Sequence, residues 1–79
     1  MDQQPAMMIP NLTEAEVRGH LEFAGLVDVK TTIVKSRRLA KNAFEVELET
    51  VEPRQAPMVR VYRVSRLPGR PELICNRWR

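Results

Sequence analysis

The chain has 79 residues, 43% apolar and 29% charged, which places it near the lower size limit for folding on one hydrophobic core. No apolar run approaches the ~20 residues that cross a bilayer, so a membrane partner is not expected. The single cysteine, Cys75, excludes an intramolecular disulfide and a zinc site built from several thiolates.

The formal net charge of +3 conceals an asymmetry. Residues 1–52 hold six basic and nine acidic side chains, whereas residues 53–79 hold seven arginines and one acid, Glu72. Arginine is the side chain suited to planar, bidentate recognition of anions, and a basic half of this kind suits nucleic acid or an acidic protein surface. The start, Met1-Asp2-Gln3-Gln4-Pro5, has an acid where a secretory signal has cations. With one unpaired cysteine, this points to the cytoplasm.

In chain order, residues 1–11 contain two prolines and no periodicity, and read as a flexible lead-in to one α+β domain over 12–79. Met7, Met8 and Ile9 are the residues of that segment able to fold back on a core. Thr13-Glu14-Ala15-Glu16 has the form of a capping box, with Leu12 and Val17 at the positions of a hydrophobic staple. Val17, His20, Leu21 and Ala24 continue at helical spacing, and Gly25 suits a left-handed C-terminal cap. A helix over 14–24 follows.

Beyond the helix the period becomes two. Val27, Val29, Thr31 and Ile33 read as a first strand, and Ser36–Asn42 as a basic connection. Phe44, Val46, Leu48 and Thr50 alternate with Glu45, Glu47 and Glu49, as in a half-buried strand with an acidic outer face. Residues 58–66 are rich in β-branched and aromatic side chains and read as a third strand. Leu67-Pro68-Gly69-Arg70-Pro71 suits a type II corner, with a last strand over 72–78. The expected architecture is α+β, one N-terminal helix packed on an antiparallel sheet of about four strands (αββββ).

The inventory is poor in chemistry. His20 is the one histidine and lacks an evident catalytic partner, and Cys75 reads as a small apolar strand residue. The glutamates of the second strand lack the glycine turn and Asx ligands of a calcium loop, and three scattered glycines form no phosphate loop. No catalytic, metal or cofactor site is expected.

A binding role is the remaining expectation. If Arg66 lies opposite Glu72, then Val64, Tyr62 and Arg60 lie opposite Ile74, Asn76 and Trp78, and one sheet face gathers arginines with two aromatic rings. That composition suits single-stranded nucleic acid or a protein hot spot. The candidate contacts are Arg37, Arg38 and Lys41 of the basic connection with Arg60, Tyr62, Arg66, Arg77 and Trp78 of the sheet. The expected function is non-enzymatic binding of nucleic acid or a nucleoprotein complex. The alternative is a protein-interaction module, as a homodimer or a small inhibitor or adaptor of the kind that mobile genetic elements encode.

Overall fold

The computed structural model describes residues 10–78, so the suggested fold-back of Met7, Met8 and Ile9 lies outside the described residues. One helix, α1 (Glu14–Phe23), precedes four strands, β1 (Thr31–Ala40), β2 (Ala43–Thr50), β3 (Met58–Arg66) and β4 (Leu73–Arg77). The strands form one antiparallel sheet in the order β1-β2-β3-β4, an α+β arrangement.

Local chemistry fixes both ends of α1. The Thr13 hydroxyl accepts the Glu16 N–H at 3.2 Å, and a Glu16 carboxylate oxygen accepts the Thr13 N–H at 2.9 Å. At the other end, Gly25 adopts φ +79°, and Leu26 and Gly25 donate to the carbonyls of Leu21 and Glu22 at 2.9 and 3.0 Å. This is the paired-bond glycine cap, and it turns the chain so that Leu26 packs on the core. Thr13→Ala is expected to lower the unfolding free energy by about 1 kcal/mol, read as a shift in the urea midpoint with an unchanged slope.

Leu12, Val17 and Leu21 bury one face of this segment against Phe44, Val46, Leu48, Tyr62 and Val64 of the sheet. These are alternate residues of β2 and β3, so the helix covers one sheet face, and among the described residues no layer covers the other.

Three expectations need correction. The first strand starts at Thr31 and not Val27, because the Asp28 carboxylate accepts the Lys30 and Thr31 N–H groups at 2.8 and 3.0 Å and holds a turn there. The basic stretch Ser36–Ala40 is strand, closed onto β2 by a two-residue turn, Lys41-Asn42. Irregularities at Val34 and Leu39 break its alternation, which hid the strand in the sequence.

The third correction concerns the β3–β4 hairpin. Arg66 pairs with Leu73, Val64 with Cys75 and Tyr62 with Arg77, one residue away from the expected register. The type II corner itself is present, with Gly69 at φ +75° and the Arg70 N–H bonded to the Leu67 carbonyl at 3.1 Å. Pairing resumes only after Pro71 and Glu72, and the ion-pair partner of Arg66 is Glu16 and not Glu72. The shift sends Ile74 and Trp78 to the face away from Tyr62.

Candidate functional site

The eight side chains proposed from sequence do not form one surface. Tyr62 is 9% exposed and belongs to the core with Phe44 and Val46, so it offers no ring for stacking. Arg66, 6% exposed, donates to the Glu16 carboxylate at 2.9 Å and to the Pro10 carbonyl. Arg38 donates to the carbonyls of Leu12 and Lys41 at 2.8 and 2.9 Å and lies 4.7 Å from the Phe44 ring centroid. Leu12 in turn donates to the Lys41 carbonyl and the Asn42 side-chain oxygen at 3.1 and 3.0 Å. Arg38 and Arg66 thus tie residues 10–12 to the β1–β2 turn and the end of β3, and their charge serves the fold.

The other five separate into three places. Lys41 is exposed in the β1–β2 turn, and Arg37, also exposed, meets Glu45 at 2.6 Å on the face opposite the helix. Arg60 and Arg77 stand on the helix side, each 5.9 Å from the Tyr62 ring centroid, and Arg60 also donates to the Thr50 hydroxyl at 3.0 Å. Trp78 lies on the opposite side, where the Arg63 guanidinium sits 5.4 Å from its ring centroid. The expected Arg60–Trp78 contact is therefore replaced by Arg60–Tyr62 and Arg63–Trp78. Arg63 was missed because the one-residue shift moved Trp78 to its face.

The uncovered face has an ordered composition across the strands. The β1 row presents Thr32, Lys35 and Arg37, and the β2 row Glu45, Glu47 and Glu49. The β3 row presents Val59, Val61, Arg63 and Ser65, and the β4 row Ile74 and Asn76, with Trp78 following. Val59, Ile74 and Trp78 are 51, 39 and 44% exposed, large values for apolar side chains in or beside a sheet. Val61 is half-buried beside them, and the Trp78 N–H donates to its carbonyl at 2.7 Å. Apolar residues on β3 and β4 therefore border a carboxylate row on β2, a strand spacing of about 4.8 Å away. A shallow hollow at one corner, floored by Ala43 and Ser65 and rimmed by Arg63, Leu67 and Pro68, continues this face.

Glu16 and Cys75 have shifted acidity. The Thr13 backbone N–H, then the Arg66 guanidinium, hold the Glu16 carboxyl below its ordinary value. Burial raises the Cys75 thiol, which disfavours the reactive thiolate. Among the described residues no cluster of three or more His, Cys, Asp or Glu side chains is placed to hold a metal ion, and no helix is long and apolar enough to cross a membrane.

No protein-family model matches the chain, and no curated protein or solved structure is significantly similar to it. The uncovered sheet face and the placement of its charges are thus the basis for any functional reading.

Proposed function

We propose that this chain is a non-catalytic protein-interaction module that docks a partner protein on the sheet face opposite α1. One observation carries the reading: an apolar strip of exposed Val59, Ile74 and Trp78 with half-buried Val61 borders the row Glu45, Glu47 and Glu49 on the sheet face that none of the described residues covers as a layer. The partner surface that fits has an apolar ridge flanked by lysine or arginine, the ridge lying on β3 and β4 and the cations meeting Glu47 and Glu49. Trp78, stacked on Arg63, supplies the aromatic and arginine pair that dominates many interfaces.

The same carboxylates argue against the nucleic-acid reading on this face. A phosphate chain laid along β3 would run one strand spacing from three glutamates. On the helix side, Arg60 and Arg77 offer cations, but the ring between them is buried. The cation excess of residues 53–79 remains the observation in favour of nucleic acid. It predicts a steep loss of affinity with salt, whereas an interface centred on Val61 and Trp78 predicts a shallow one.

The test is capture from nuclease-treated extract by three forms of the protein. Wild type and Arg18→Glu, altered on the exposed side of the helix, should retain the same partner, and Val61→Asp should lose it. Capture abolished by nuclease, or retained by Val61→Asp, would overturn the proposal.

A further inference from the structure

The two edges of the sheet are built differently. Edge strands offer backbone groups to other chains, and proteins blunt them with bulges, charges or proline. β1 has two irregularities, at Val34 and Leu39, and carries Lys35, Arg37 and Arg38. β4 has none of this protection through Leu73-Ile74-Cys75-Asn76: it pairs with β3 without a register shift, and its first charged residue is Arg77.

The hydrogen-bond phase of β4 can be read from its end. The Trp78 N–H bonds to the Val61 carbonyl at 2.7 Å, so Trp78 points its backbone groups at β3, as do Asn76 and Ile74 in the same phase. Leu73 and Cys75 then turn theirs to the outer edge, which no described strand pairs. Cys75 is also the midpoint of the strand Leu73–Arg77. With Cys75 outward-facing at the midpoint, pairing of the strand with its own copy, antiparallel and over its full length about a two-fold axis, would make the central Cys75–Cys75 pair a hydrogen-bonded one.

We infer that β4 pairs with β4 of a second copy, with Cys75 opposite Cys75, to form a continuous eight-stranded sheet. In this register Leu73 comes opposite Arg77 of the second copy, and no cation directly faces a cation, an arrangement that would oppose pairing. Ile74 falls diagonal to Trp78 of the second copy, within reach of the ring, so the two apolar strips join. The axis is perpendicular to the sheet, which puts both helices on one side and both uncovered faces on the other. The inference stands on the β3–β4 register alone and needs no outside partner, so it can fail without affecting the docking proposal.

Position 75 makes the register testable, because it is the one place where a residue meets itself. Sedimentation of the full chain should give twice the 9.1 kDa of a single chain. A short bismaleimide should link two copies through Cys75. Cys75→Lys and Cys75→Glu should each sediment as monomers through like-charge opposition, and an equimolar mixture should recover the dimer. A wild type that stays monomeric at millimolar concentration overturns the inference. So does a dimer that survives Cys75→Lys, or a mixture that remains monomeric.

Discussion

Tyr62→Ala is expected to cost about 3–5 kcal/mol, the range for removing a large buried aromatic, while Trp78→Ala should cost about 1 kcal/mol or less. The contrast follows from the hairpin register. Tyr62 is at the centre of the core, between Val46 on β2 and Arg77 on β4, and the guanidiniums of Arg60 and Arg77 lie near its ring. Its removal leaves a cavity beside Phe44 and Val64 that a one-helix layer has little means to refill. A chain of this size has of order 4–12 kcal/mol in total, so Tyr62→Ala should be largely unfolded at 37 °C. Trp78 is 44% exposed and touches the sheet from its far side. Urea titrations of the two variants measure the difference directly. Equal losses would place both rings in one environment and contradict the observed register.

The second large effect concerns the ion pair that ties the helix to the sheet. The Arg66 side chain is almost wholly buried, whereas Glu16 is 44% exposed. Glu16→Gln leaves a buried guanidinium without its counter-charge, and solvent at the open side reduces the penalty to about 1–3 kcal/mol. Arg66→Met, which removes the charge that would otherwise need a partner, should cost less than Glu16→Gln. The acid limb follows from the sign of the shift. The folded-state carboxyl lies below its ordinary value, so the unfolded chain binds the proton more readily. The contribution is complete above the ordinary glutamate value near pH 4.3 and is lost as pH falls through the depressed folded value. Glu16→Gln should flatten that limb of the stability curve, as read from urea midpoints across acid pH.

Much of the fold was legible because its signals are local. Thr13 and Glu16 mark the helix start, Gly25 its end, and Pro68-Gly69 the last corner, each through backbone chemistry within a few residues. β2 was legible through strict alternation of a half-buried surface, and β3 through its β-branched and aromatic side chains. β1 was legible only at Thr31 and Ile33, because its two irregularities break the period beyond them and Asp28 captures the backbone where alternation first suggests a strand. The candidate site depended on a long-range quantity, the pairing of β3 with β4. There the expected Arg66–Glu72 pair lost to a pair with Glu16, fifty residues away in sequence. One residue of shift was enough to divide the expected Arg and aromatic face. Tyr62 went to the core, and Trp78 was left with Arg63, Val61 and Ile74 beside the glutamates.

Trp78 is the only tryptophan of the chain and lies on the proposed docking face, so a fluorine label there reports on that face alone. The protein is produced with 5-fluorotryptophan, and its single 19F resonance is recorded with the protein fraction and, separately, the nucleic-acid fraction of a cell extract. The resonance is expected to shift or broaden with the protein fraction and to stay in place with the nucleic acid. A resonance that ignores the protein fraction, or that responds to nucleic acid with a steep salt dependence, would contradict docking of a protein on the uncovered sheet face.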